Sequence, residues 1–407
     1  MEIRPIYSAL MRNKPGLVLI VLQVAITLAV VCNSLFIILE RHERVGRPSG
    51  MNEADTFVIN SLGFASNFDV KATIRDDLDM IRALPGVVAA TTVNSLPMSG
   101  GGWGAGFDTQ PVDRTGTRRG QSSALYFVDE GGLETFGVKL IEGRDFRAAD
   151  VTDNTDSSGI LAQSIIISKA LAEALYPDES AVGKQVFGLA NDNEAVTVVG
   201  VVERLQQPWS RSRFVEQSTF VPGYNVGGPQ SRYLIRTQPG QRDQVMAEVE
   251  EKLQASNTGR LIRGRETVQD IRAQSYQFDN AMMTILMAVM GGMVIITGLG
   301  IVGLASFWVT RRIKQIGTRR ALGARKFNIL RYFQTENGIM VTMGVVLGAL
   351  LTYGFNLWLM REYNAERLPW FYLPIGALTV IVLGQIAVFG PASRAAKVSP
   401  AVATRSA

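Results

Sequence analysis

The sequence predicts an α-helical membrane protein with four transmembrane helices and a large external α+β domain, and three observations carry that reading. Four runs, residues 16–39, 281–309, 338–359 and 371–390, contain no Asp, Glu, Lys or Arg. Residues 41–280, between the first run and the second, mix helix-like and strand-like patterns. Charge is uneven: residues 41–280 hold 25 Lys/Arg against 31 Asp/Glu, whereas the remaining 167 residues hold 16 against 5. A net charge of +5 is too balanced for a dedicated nucleic-acid binder, and no nucleic-acid partner is expected.

The first run, GLVLIVLQVAITLAVVCNSLFIIL, would reach about 36 Å as a helix, enough to cross a bilayer with some tilt. Arg4, Arg12 and Lys14 precede it, as in a signal peptide. The run is too long for one and ends in ERHERVG rather than a small-x-small cleavage site, so an uncleaved anchor is expected. The three later runs are read as spans by the same length argument.

Orientation follows from the Lys and Arg close to the span ends. The N-terminus, the 310–337 loop with its eight basic residues, and the tail with Arg394, Lys397 and Arg405 belong on the cytoplasmic side. The 360–370 loop, where Arg361 and Arg367 are offset by Glu362 and Glu366, fits the outer side. Both termini are then cytoplasmic and 41–280 is external. In the first 15 residues Ile3, Ile6, Tyr7, Leu10 and Met11 draw one helical stripe, with Arg4, Arg12 and Lys14 off it. That pattern predicts an amphipathic helix over 1–15 lying in the inner interface against the lipid bilayer.

Cys32 is the single cysteine, so no disulfide staples a domain of one chain. With His42 as the single histidine, no His/Cys cluster has metal-ligand spacing and no metal site is expected. A Ser-His-Asp site would have to rest on that one histidine at a membrane boundary, and no catalytic residue is assigned.

The external segment alternates element types. KATIRDDLDMIRAL (71–84) places Ile74, Leu78, Ile81 and Leu84 on one helical face and stops at Pro85-Gly86, and GVVAATTV follows as a strand. SIIIS (164–168), a helix KALAEALY, the strand AVTVVGVVE (195–203), the strand YLIRT (233–237) and the helix QRDQVMAEVEEKLQ (241–254) continue the pattern. Two α+β subdomains are expected. The run SGGGWGAG (99–106) lacks the terminal Gly-Lys-Ser/Thr of a P-loop and reads as a flexible external loop. With no GxxxxGK[ST] elsewhere, no cofactor is expected on this chain.

The stretch RRIKQIGTRRALGARKFNILR (311–331) holds eight Lys/Arg among 21 residues and no acidic one. With the span before it, it resembles the signature of the MacB/FtsX superfamily of ABC-transporter permeases. Arg311 or Arg312, Ile316, Gly317, Arg319 or Arg320, Ala321, Leu322, Gly323, Ala324 and Ile329 match that signature. Gln315 stands where the family usually has Glu, which removes the charge a salt bridge there would need. FGVKLIEGRDFRAAD (136–150), IIISKALAEALYPDESAVGKQV with VVGVV (198–202), and the tail PASRAAKVSPAVATR (391–405) are similar to three further segments of the family, in the same order.

The resemblance implies a non-catalytic permease subunit in the bacterial inner membrane that works with a separate ATPase of the MacB or LolD kind, which would bind ATP and Mg. It further implies a second permease subunit, identical or not, and a periplasmic adaptor where export is the role. The external part would be Porter-like with an inserted subdomain, and residues 262–280 would carry the second span outward as a stalk. A different class of role, FtsX-like signalling to an envelope enzyme without transport, is the alternative.

The coupling contact is expected in the 310–337 loop. Residues 310–316 can form a short helix with Ile313 and Ile316 on one side, while Gly317 and Gly323 end turns or admit close backbone approach. Ile313, Gln315, Ile316, Gly317, Arg320, Ala321, Leu322, Gly323 and Ala324 are the expected ATPase-docking residues. Arg311 and Arg312 are expected to face the membrane surface, and Glu336 to cap the third span or meet Arg331.

Overall fold

The computed structural model describes residues 14–66, 68–111, 120–153, 162–189, 194–224, 228–363 and 366–398. It divides into two units, Gly46–Phe278 and the remainder, Met1–Val45 with Asp279–Ala407. The expected interfacial helix, with Arg4 and Arg12, lies outside the described residues, as does Arg405 of the tail; Lys14 opens the first described helix.

Helix α1 (Lys14–Gly46) opens the membrane unit. Small residues let other helices approach it closely: a Cβ added at Gly344 would come within 2.6 Å of Val24, and one at Gly348 within 3.0 Å of Ala25. These glycines belong to α9 (Lys326–Tyr363), which starts well before the expected 338 because Ile329 and Phe333 give its first turns an apolar face to bury. Helix α7 (Gln277–Arg311) meets α1 through polar groups, with Thr27 Oγ1 at 2.6 Å from Thr297 Oγ1 and Gln23 Nε2 donating to the Ile296 carbonyl at 2.9 Å. A Cβ at Gly300 would strike the Gln23 side chain, whereas Gly291, Gly292 and Gly303 face open space. Buried Asp279 pairs with Arg41 and Arg44. The last membrane helix is α10 (Tyr372–Ala396).

In the external unit, β1 (Thr56–Gly63), α2 (Val70–Arg82) and β2 (Val87–Thr92) come first, and β11 (Gln230–Thr237), α5 (Arg242–Ser256), β12 (Arg260–Thr267) and α6 (Val268–Ser275) come last. Together they make a four-stranded antiparallel sheet of order β12-β1-β11-β2. Alternation along β1 and β11 sends Phe57, Ile59, Tyr233 and Ile235 to one face, where they pack on Ile74 and Leu78 of α2 and Val249 and Leu253 of α5. Helix α2 starts where Asp69 Oδ1 accepts the Ala72 N–H at 3.0 Å, and it ends just before Pro85 and Gly86, the latter at φ 87°.

The strands described between β2 and β11 form a second, mixed sheet, inserted into the first by chain order. Its path is β3 (Trp103–Phe107), β4 (Gln121–Val128), β10 (Ser218–Tyr224), β7 (Ser164–Ser168), β9 (Ala195–Val202) and β5 (Leu140–Gly143). Two-residue β6 (Thr152–Asp153) pairs with β10 and β8 (Gln185–Phe187) with β9, while α3 (Gly132–Phe136) and α4 (Lys169–Leu175) complete the insert. Arg82 of α2 ties the two parts, donating to the Ala90 carbonyl at 2.7 Å and to Asp129 at 2.5 Å. Burial pushes the Asp129 carboxyl up, and the Arg82 guanidinium opposes that shift.

Two expectations change. Residues 103–107 of the glycine-rich run are strand β3 rather than loop, paired with β4 in the register Gly104↔Ala124. A ladder needs only backbone groups, and the absent side chains let Trp209 and the Ser123 carbonyl come close to Gly104. The segment 262–280 is not one continuous stalk: residues through Thr267 belong to β12, and α6 is a separate helix before α7. Thr267 and Asp270 break the segment there with a capping box, each side chain accepting the other's backbone N–H.

Candidate docking site

The basic stretch folds as a turn between two long helices. Helix α7 ends at Arg311, Arg312 leaves helical geometry, and α8 (Ile313–Ala321) follows. Its end is a Schellman motif: the Gly323 N–H bonds the Arg320 carbonyl at 3.1 Å and the Ala324 N–H bonds the Arg319 carbonyl at 3.0 Å. Gly323 closes it at φ 94°, a conformation that a side chain disfavours. Helix α9 begins three residues later, at Lys326.

The motif residues divide between two faces. Ile316 is buried with Val309, Ile329, Phe333, Ala392, Ala395 and Ala396, and Gly317 is buried beside it in sequence. Their part is to hold α8 onto its own unit, so Ile316 is not available to enter a partner's groove. Ile313, Arg320 and Ala324 are half-buried. Arg320 Nη1 donates to the Ala396 carbonyl at 2.5 Å, a cation at the C-terminal end of α10. Gln315, Ala321, Leu322 and Gly323 are exposed, and Leu322 stands out at 83% of its free surface.

Phe327, at 64%, is the docking candidate that the sequence reading missed. Its signal was an aromatic residue inside a basic segment, set across the Gly323 turn from Leu322.

The charges sort in the same way. Arg311 lies 4.6 Å from the Phe307 ring centre and Arg319 lies 5.1 Å from that of Tyr332. Arg312, expected at the lipid surface, instead donates to both carboxylate oxygens of Glu336 at 2.9 Å. Glu336 therefore neither caps a helix nor meets Arg331; it sits in the interior of α9, nearly fully buried, where an unpaired carboxylate would be costly. Lys314, Arg325, Lys326 and Arg331 are exposed. Gln315 lines a small cleft with Arg312 and Arg319, so a neutral amide shares the cleft with two cations where the signature has an acid.

Two family models cover most of the chain: the MacB-like periplasmic core domain matches residues 21–252 and the FtsX-like permease C-terminal domain matches residues 287–400. The macrolide export ATP-binding/permease protein MacB of Neisseria gonorrhoeae is 24% identical over 371 residues, 86% of this chain and 52% of that protein. The MacB of Chromobacterium violaceum is 27% identical over 289 residues, 65% of this chain and 40% of that protein. The ABC transporter permease YknZ of Bacillus subtilis is 25% identical over 286 residues, 68% of each chain. The chain thus spans about half the length of the MacB proteins it matches. Among solved structures, the periplasmic region of MacB from Actinobacillus actinomycetemcomitans aligns at 16% identity and a TM-score of 0.33, covering 57% of this chain and 97% of that one.

Proposed function

The chain belongs to the MacB/FtsX superfamily of ABC-transporter permeases, whose periplasmic-core model matches more than half of it, and from that premise we propose that it couples a separate ATPase to motion of its external unit. The membrane is the bacterial inner membrane, both termini are cytoplasmic, and the external unit acts on a periplasmic substrate for efflux or extraction. A second permease subunit completes the assembly, and ATP and Mg are bound by the ATPase subunit. The observation that carries this reading is the α8 turn, which presents Leu322 and Phe327 outward while Ile316 fixes it inward. A short helix anchored on its own bundle and bearing exposed apolar side chains can transmit a push from a partner. An unanchored loop would absorb it.

Leu322→Asp and Phe327→Asp test the contact without touching the buried face. The measurement is ATPase activity and the ATP-binding subunit recovered with the tagged full chain from its native membranes. The two substitutions together should lower recovery at least about tenfold, the effect of placing a charge in a desolvated apolar contact. Helix content should stay unchanged, because both positions are exposed. Undiminished recovery with both aspartates would remove the docking reading.

A further inference from the structure

The chain enters the external unit through the segment 47–53, which follows α1, and leaves it through α6, which precedes α7. Each unit ties these two passages together. In the membrane unit Asp279, near the start of α7, pairs with Arg41 and Arg44, near the end of α1. In the external unit Arg272 of α6 donates to the Arg47 carbonyl through Nη1, at 3.0 Å, and through Nη2. Its Nε donates to Glu53 at 3.0 Å, a charge-assisted bond. So held, α6 and the segment 47–53 resist sliding past each other.

The inserted sheet grips the same segment. Gln206, in the link between β9 and β10, is fully buried, and its N–H donates to the Ser49 carbonyl at 2.8 Å while its Nε2 donates to the Arg47 carbonyl at 3.3 Å. The Arg47 carbonyl is thus shared by α6 and the insert. The backbone carbonyl of Gln206 accepts the hydroxyl of Tyr126, on β4, at 2.6 Å. Its Oε1 accepts the hydroxyl of Tyr276, the residue that caps α6, at 3.4 Å. Beside it the Ser275 and Ser210 hydroxyls meet at 3.2 Å. The backbones also press together: a Cβ at Gly50, held at φ 89°, would lie 2.2 Å from the Arg204 carbonyl.

Directional bonds of this kind fix a register, where apolar contact alone would let two segments slide. The insert has other ties to the first sheet, Arg82 with Asp129 among them, but these start from α2 and β2, which do not lead to a membrane helix. We propose that Arg272 and Gln206 are positioning residues that make the inserted sheet follow α6 when α7 is driven, with the segment 47–53 as the strap between them. That role rests on the coupling to a separate ATPase proposed above, and it names the joint through which the insert is moved.

The test is hydrogen exchange, read by mass spectrometry, on the full chain in lipid nanodiscs with the ATP-binding subunit recovered from native membranes, with and without ATP and vanadate. In the parent, exchange should change at least about threefold both at 313–324 and across 204–224, because the trapped nucleotide shifts local opening at each. Arg272→Gln and Gln206→Leu should each remove the change across 204–224. Both should leave subunit recovery, ATP hydrolysis and the change at 313–324 as in the parent. Arg272→Lys keeps a charge for Glu53 and a donor for the Arg47 carbonyl, and should restore part of the lost response. Arg82→Gln loosens the insert at its other tie and should leave the response in place, which separates a joint from general softening. Arg272 is only half-buried, so its variants decide if Gln206→Leu does not fold. A change across 204–224 that survives Arg272→Gln, or one lost equally in Arg82→Gln, would overturn the assignment. So would a parent that responds at 313–324 but not across 204–224, with the docking reading left standing. A parent that recovers no ATP-binding subunit would overturn both.

Discussion

In the external unit the carboxylate of Asp77 is enclosed in an apolar core, paired with the buried Arg260 and bonded by the Tyr233 hydroxyl, and Arg260 donates onward to the Leu253 carbonyl at 2.7 Å. In the membrane unit the buried ion pairs, Arg312 with Glu336 and Asp279 with Arg41 and Arg44, flank the uncharged runs, and other buried polar contacts are neutral: Asn337 Nδ2 donates to the Gly384 carbonyl at 2.9 Å and Asn33 Nδ2 to the Thr352 carbonyl at 3.3 Å. The outer surfaces are reversed as well, since Ile295, Leu299, Leu350 and Ile386 of the membrane helices are exposed. Water drives the external core together through apolar burial, so a buried ion pair is tolerated only when fully matched, and it fixes which helix meets which strand. Lipid supplies no such drive between helices, so close approach at Gly344 and Gly348 and neutral hydrogen bonds to backbone hold the bundle.

The largest expected effect tests the first half of that contrast. Asp77→Ala leaves Arg260 buried without its counter-ion and should cost about 3–5 kcal/mol. Replacing both partners by apolar residues, Asp77→Leu with Arg260→Met, should recover most of the loss. The urea midpoint of the full chain in detergent, followed by near-ultraviolet circular dichroism, measures both. A loss below about 1 kcal/mol for Asp77→Ala, the range of an exposed pair, would mean that the network does not organise the core.

The same contrast explains what was legible in the sequence. Uncharged runs announced the four membrane helices because lipid demands apolar side chains along a whole span, and the period of Ile74, Leu78 and Ile81 announced α2. Strand β3 was hidden because a glycine-rich strand carries no side-chain alternation, and β12 because its side chains are mostly exposed and polar. At the α8 turn the motif residues were visible, but their division was not. Whether Ile316 faces inward and Leu322 outward depends on the axis of α8 relative to α9 and α10, which spacing within a nine-residue helix does not determine. Arg312 was misplaced for a related reason: its partner Glu336 is 24 positions away and inside a helix whose start the apolar run did not mark.

A smaller effect is expected where β12 passes to α6. Thr267→Ala removes the side chain that accepts the Asp270 N–H at 3.0 Å, and should cost about 1 kcal/mol. The Thr267 hydroxyl and N–H hold the Asp270 carboxyl below its ordinary value. As pH falls, the unfolded chain protonates Asp270 first, so this contribution is fully present above about pH 4 and is lost as pH drops through the folded value. Acid titration of the midpoint should therefore fall less steeply in Thr267→Ala than in the parent. An unchanged acid slope would show that the box contributes nothing in solution.

Asn337→Leu should be the mildest of the three, although Asn337 is as buried as Asp77. Leucine keeps the branched shape of asparagine, although its methyls are larger than the amide groups they replace, and the Gly384 carbonyl, within helix α10, keeps its place in the helical ladder when the amide is removed. The unfolded helix in the membrane also finds other partners for an asparagine. The loss should thus be about 0.6 kcal/mol and not above ~1.7. Unfolding in mixed micelles by graded sodium dodecyl sulfate reads this difference, with Leu350→Ala on the lipid-exposed face as the control. A loss of about 3 kcal/mol or more would place Asn337 with Asp77 and erase the distinction between the two interiors.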